Sequence, residues 1–202
     1  MNFTDQVILI TGARDGIGTR LAQDLAARGA VIIGCGRSVE RLKAVLAELQ
    51  RISPRSITIR CDVGSREEVR AMVAKALAAY DAIDILINNA GIGMRQPLVQ
   101  MSVDTIEEVM RTNYFGAVYC TREVVPAMIA RGRGHVVNIS SVAGHIGTLN
   151  MAAYCASKFA INGFSESLYH ELKPLGIDVS LVCPGPVRTS FNRTFAQTSP
   201  KS

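Results

Sequence analysis

Short runs of β-branched and aliphatic residues alternate with longer amphipathic stretches along nearly all of this 202-residue chain, and that alternation restricts its fold more than any other feature. The runs fall at 6–11, 31–35, 56–61, 83–88, 135–139 and 178–183. Most are continuously apolar, as strands covered on both faces must be. Between them the spacing predicts helices over 17–28, 39–52, 67–80, 105–131 and 152–173. Strand and helix in regular succession point to an α/β fold: a Rossmann-like, doubly wound parallel sheet in three α/β/α layers. Local punctuation agrees, with Ser65 placed to cap the helix that begins near Glu67 and Gly29 placed to end the first one. Ligands of such sheets sit outside the carboxyl ends of the strands, where strand order reverses, so function is to be sought after each strand.

Composition narrows the class. At 48% apolar and 19% charged residues the chain is neither disordered nor collagen- or mucin-like. A chain of this length buries roughly 70% of its unfolded surface, enough for one core without disulfide or metal. A single domain over 1–190 is expected, with 191–202 as a short disordered tail. No run of 18 apolar residues occurs, and the start Met1-Asn2-Phe3-Thr4-Asp5 lacks the features of a signal peptide, so a soluble, cytoplasmic chain with no membrane partner is expected. Five widely spaced cysteines without a CxxC pair suit buried thiols in a reducing compartment, and the three histidines show no metal-ligand spacing. The net charge of +5 suits an anionic ligand. Its basic residues are scattered and lack interleaved aromatics, which argues against nucleic acid.

The first strand runs into Thr11-Gly12-Ala13-Arg14-Asp15-Gly16-Ile17-Gly18 and then a helix. Gly12 permits a tight turn, Gly16 a close backbone approach to a pyrophosphate, and Gly18 close helix packing, while the helix start offers free N–H groups and a positive dipole end. Between a buried strand and a helix, this spacing reads as dinucleotide binding. After the second strand comes Cys35-Gly36-Arg37-Ser38, with no carboxylate to hold ribose hydroxyls. Arg37 and Arg14 instead offer cationic forks to a phosphate, which favours NADP(H) over NAD. Glu40, one turn later, is expected to point elsewhere.

Further along, Ser140-Ser141 follow the fifth strand, and Tyr154 and Lys158 stand four residues apart on one helix face. An ammonium about 4 Å from a phenol contributes about 4 kcal/mol at an effective dielectric of about 20. That would draw the phenol from about pH 10 toward neutrality, where it becomes a useful proton donor or acceptor.

With TGxxxGxG at the start, NNAG at 88–91, a serine 13 positions before YxxxK, and Pro184-Gly185-Pro186-Val187-Arg188-Thr189 near the end, the sequence resembles the short-chain dehydrogenase/reductase family over about residues 5–190. The resemblance implies an oxidoreductase that moves hydride between nicotinamide and a carbonyl or secondary alcohol of a small molecule. It implies Tyr154 as general acid/base, Lys158 as its partner and a ribose ligand, Ser141 rather than Ser140 bonding the substrate oxygen, and Asn113 holding a water. It also implies contacts to the cofactor from Asp62 and Val63 at adenine, from Asn89, Ala90 and Gly91, and from Pro184, Gly185, Val187 and Thr189. His145 would border the substrate pocket. Helices 105–131 and 152–173 would form dimer faces, giving a homodimer or homotetramer. Standard-length members continue beyond this chain's end, so six strands are expected, with the usual seventh missing and Phe191 and Phe195 pairing over the pocket. Two alternatives stand beside this reading: a 3-oxoacyl-(acyl carrier protein) reductase, and a catalytically weak nucleotide-binding or assembly module.

Overall fold

The computed structural model describes residues 3–189 and 191. Among them, six strands pair in parallel in the order β3-β2-β1-β4-β5-β6. They are β1 (Val7–Thr11), β2 (Val31–Gly36), β3 (Ile57–Arg60), β4 (Ile85–Asn88), β5 (Gly134–Ile139) and β6 (Ile177–Val182). The helices are α1 (Gly16–Ala26), α2 (Val39–Ile52), α3 (Arg66–Tyr80), α4 (Val103–Met110), α5 (Gly116–Arg131) and α6 (Ala152–Leu172). Central β1 is buried at every position, and its side chains divide by parity. Ile8 and Ile10 pack with Ala22 and Ala26 of α1 and Val45 and Leu49 of α2. Val7 and Leu9 join the opposite core, built with Met72 of α3, Val124 and Met128 of α5, and Leu168 and Leu172 of α6. The sheet is thus covered on both faces, as the apolar runs require. Residues 192–202, including Phe195 and most of the expected tail, lie outside the described residues.

Capping behaves as the sequence indicates. Ser65 accepts a bond from Glu68 N at the start of α3. Gly29, in the turn before β2, has φ +93°.

The stretch 105–131 is helical throughout, with one refinement: α4 and α5 are joined by a π-helical turn at Arg111–Phe115. The widened turn carries the buried Asn113 to the loop after β4, where its side chain accepts from Ile92 N (2.8 Å) and donates to Ile92 O (2.9 Å). Such bulges concentrate at functional positions.

A polar belt crosses the second core between β4, β5 and the helices. Asn88 Nδ2 donates to Thr121 Oγ1 (3.1 Å) and Asn138 Oδ1 (2.8 Å), and Asn138 Nδ2 donates to Ser165 Oγ (2.8 Å). Buried polar groups are tolerated when paired in this way, and losing one partner strands the others. Asn138→Ala is therefore expected to destabilise the protein by about 2–3 kcal/mol, read as a lowered urea midpoint at unchanged m-value; a midpoint within error of the parent would contradict the role given to the belt.

Candidate active site

Segments after all six strands open into one cleft of about 600 Å³. It lies over β1 and β4, where the strand order turns back on itself. Thr11 at the end of β1 holds the two sides together: its Oγ1 accepts from Asn89 N and Ala90 N, each at 2.9 Å. Asn89 Nδ2 donates back to Thr11 O at 2.9 Å. Asn89, Ala90 and Gly91 therefore present backbone to the cleft on a fixed loop.

One end is cationic. Gly12, Arg14, Asp15, Gly16 and Ile17 line it from the loop between β1 and α1, with Gly36 and Arg37 from the end of β2. Asp15 caps α1, accepting from Gly16 N at 2.7 Å. Gly18 lies beneath the loop rather than in the cleft. A Cβ there would stand 2.4 Å from Gly12 O and 2.6 Å from Asn89 Nδ2, so no larger residue keeps this packing. Arg41, from the first turns of α2, joins Arg14 and Arg37 and reaches Asp15 at 3.4 Å. Burial, followed by repulsion from Arg37 and Arg41, holds the Arg14 guanidinium below its ordinary value. Three guanidinium groups pressed together in this way are a site for an anion. Ser38 is not part of the cleft wall: its hydroxyl caps α2, accepting from Arg41 N (3.3 Å) and donating to Glu40 Oε2 (3.1 Å). The same contact turns Glu40 away, as expected.

Cys61, Asp62 and Val63 line the flank after β3, with Asp62 Oδ1 also accepting from Gly64 N at 3.0 Å. Opposite them, Pro184, Gly185, Val187 and Thr189 complete the wall after β6. A Cβ on Gly16 would meet Thr189 Cγ2 at 3.0 Å, so the last segment closes directly over the glycine loop.

The other end gathers the side chains with chemistry. Tyr154 and Lys158 project from α6 toward Ser141, which follows β5, and the Ser141 and Tyr154 side chains hydrogen-bond to each other. Ser141 also caps the short turn 142–144, accepting from Ala143 N at 3.2 Å. Lys158 Nζ donates to Ile139 O at 2.9 Å and stands 5.8 Å from the Tyr154 ring centroid. Asn113 lies behind this group, with Nδ2 donating to Ser157 Oγ (3.0 Å) and Ser157 donating to Tyr154 O (2.7 Å). The chain from π turn to α6 is continuous. His145, expected beside the substrate pocket, is not in the cleft wall; it is exposed, and its Nε2 lies 3.3 Å from Cys183 Sγ.

Comparison with known proteins decides the family. The profile described as short chain dehydrogenase matches residues 6–200. The chain belongs to the short chain dehydrogenase family. It is 38% identical over 199 residues to Dehydrogenase/reductase SDR family member 7B of Danio rerio, covering 95% of this chain and 64% of that one. It thus spans about three fifths of the length of the curated relatives it matches. A solved short chain dehydrogenase/reductase from Burkholderia phymatum, in complex with NAD, superposes with a TM-score of 0.92 at 30% identity, covering all of this chain (100%) and 72% of its own. A metagenomic short-chain oxidoreductase in complex with NADP gives 0.87 at 37% identity, covering 91% and 84%.

In this member of the short chain dehydrogenase family, electrostatics differ from the simple expectation for Tyr154. Its hydroxyl is held above, not below, its ordinary value: burial dominates, and the Ser141 hydrogen bond only partly offsets it. Helical spacing places the ammonium on the same face but does not aim it. Lys158 points at the Ile139 carbonyl and is itself lowered to about 8 by burial. Among the cleft residues that escaped sequence reading are Arg41, Thr148, Met151 and Ile92. Arg41 carried a legible signal, four residues after Arg37 on a capped helix. The other three are ordinary loop residues.

Burying the Lys158 ammonium has a measurable consequence. Both folded and unfolded chains carry the charge below about pH 8, so its burial cost is present in full there. Between about 8 and the ordinary 10.5, the unfolded chain binds a proton that the folded one does not, and stability rises with pH. Lys158→Met lacks this dependence. Urea unfolding of both proteins at pH 7 and pH 10 is expected to show the parent gaining on the order of 3 kcal/mol relative to the variant; parallel changes in the two proteins would contradict the burial.

Proposed function

We propose that the protein is an NADP(H)-dependent oxidoreductase that interconverts a carbonyl compound and a secondary alcohol. The observation that carries this reading is one cleft with three arginines at one end and Tyr154, Ser141 and Lys158 at the other. A nicotinamide dinucleotide, when bound, supplies the hydride in reduction and receives it in oxidation.

The chain's own residues manage the oxygen. Tyr154 gives its proton to the developing alkoxide in reduction and takes the alcohol proton in oxidation. Ser141, already hydrogen-bonded to Tyr154, turns its single hydroxyl proton to the substrate oxygen before transfer and to the phenolate after it. Lys158 brings a positive charge close to that phenolate. Asn113 acts through Ser157 and the π turn, fixing α6 against the loop after β4. Its hydrogen-bonding capacity toward Ile92 supports a positioning role.

The donor set fits the cofactor's phosphates and ring systems. Backbone N–H groups at the start of α1, reached through Gly12, Gly16 and Ile17, suit a pyrophosphate. Arg14, Arg37 and Arg41, with no carboxylate at the end of β2, suit a ribose 2′-phosphate. One structural neighbour was solved with NADP and another with NAD, so the preference rests on the arginines. Asp62 and Val63 suit the adenine, and Asn89, Ala90, Gly91, Pro184, Gly185, Val187 and Thr189 suit the nicotinamide half. Exposed Phe115, Ile129, Phe159 and Tyr169, on or beside α5 and α6, support a homo-oligomer.

Two measurements test the reading. Arg37→Asp is expected to weaken NADPH binding about tenfold or more while leaving NADH within about twofold; equal Michaelis constants for the two cofactors in the parent would contradict the assignment. Tyr154→Phe is expected to lower carbonyl turnover by about 10²–10⁴-fold while still binding NADPH. Tight NADPH binding with no turnover in the parent, unchanged in Tyr154→Phe, would favour a binding module instead.

A further inference from the structure

The charges of the cleft are not spread evenly along it. Arg14, Asp15, Arg37, Arg41 and Asp62 stand at the cationic end and on its flank. Around Tyr154 the wall is neutral: Val142, Thr148, Met151, Val187 and Phe191, with Ile92 from the loop after β4. Phe191 packs on the Tyr154 ring at a centroid distance of 6.0 Å. Lys158 is the charged lining residue here among the described residues, and its ammonium is directed at the Ile139 carbonyl. The segment that carries Thr148 and Met151 also bears exposed apolar side chains. Ile146 and Leu149, in the same segment as Thr148 and Met151, are 64% and 77% exposed. Gln96 N donates to Asn150 O at 2.7 Å, tying this segment to the loop after β4.

We infer that the substrate is a neutral ketone whose non-reacting arm is a long apolar chain, laid from Tyr154 past Met151 onto Ile146 and Leu149. This rests on the carbonyl chemistry proposed for the same cleft. Apolar walls gain affinity with each methylene they remove from water. A carboxylate set among them loses hydration without gaining a partner. The place of Ile146 and Leu149 on the segment that carries Thr148 and Met151 gives the arm its direction, and oxygen recognition remains with Ser141 and Tyr154.

Calorimetry tests this apart from turnover. Tyr154→Phe, with and without saturating NADPH, is titrated with a series of neutral methyl alkyl ketones of rising length and with their ω-carboxylate counterparts. Kd is expected to fall about threefold per methylene over the middle of the series, and the carboxylates to bind about tenfold more weakly or worse. In Ile146→Asp/Leu149→Asp, two exposed positions whose exchange leaves the core intact, the dependence on length should flatten. An affinity independent of length, or carboxylates binding as well as the neutral ketones, overturns the inference. Absence of NADPH binding or of any carbonyl turnover in the parent sinks the oxidoreductase reading instead, and the ketone titration without nucleotide still decides the apolar site.

Discussion

A lysine that is 5% exposed is costly to keep charged, and Lys158 is held there by the carbonyl of Ile139, the last residue of β5. That bond fixes the rotation of α6 relative to the sheet edge. Once the rotation is set, Tyr154 one turn earlier faces the segment after β5, and Asn162 one turn later faces its far side. Asn162 donates to Gly144 O at 3.0 Å and accepts from Ser140 Oγ at 2.5 Å. The turn bearing Ser141 is thereby clamped between two residues of one helix face. A Cβ on Gly144 would stand 2.9 Å from the Asn162 amide, so the clamp leaves no room for adjustment. Ser140, next to the residue that faces the cleft, serves the scaffold.

The second organising constraint is the parallel sheet. Because every strand runs the same way, six unrelated loops are delivered to one edge, and the reversal of order between β1 and β4 opens the gap between them. Thr11 bridges that gap to Asn89 and Ala90 with three short hydrogen bonds. The cleft then separates two kinds of work along its length. Arginines that would bind an anion are kept away from a neutral end where a proton can move without competition from mobile charge.

Much of this was legible in the sequence, because fully covered parallel strands leave long apolar runs and glycine spacing marks the loop after β1. The residues brought into the cleft from TGxxxGxG, Arg37, NNAG, Ser141, Tyr154, Lys158 and the segment after β6 follow those signals. What was not legible has physical causes. The π turn at Arg111–Phe115 keeps the stretch helical, so nothing in 105–131 marks it apart from an ordinary α-helix. Ser38 has a hydroxyl that suits either a ligand or a helix cap, and the start of α2 takes it. Arg41 reaches the cleft because α2 rotates it there, one turn beyond the strand end where a binding residue is usually sought. Spacing puts Tyr154 and Lys158 on one face but says nothing of dielectric, and burial reverses the shift expected for the phenol.

That reversal sharpens the mechanism. A tyrosine held above its ordinary value keeps its proton through the neutral range and is suited to donate it, so in the proposed reaction the buried Lys158 and Ser141 would serve chiefly to stabilise the phenolate after transfer. The initial rate of ketone reduction at saturating NADPH, followed from pH 6 to pH 10, tests this most directly. The expected result is a rate that is level on the acidic side and falls above about pH 8, where the Lys158 ammonium that stabilises the phenolate is lost while Tyr154 keeps its proton. A rate that climbs with pH would contradict Tyr154 as the proton donor.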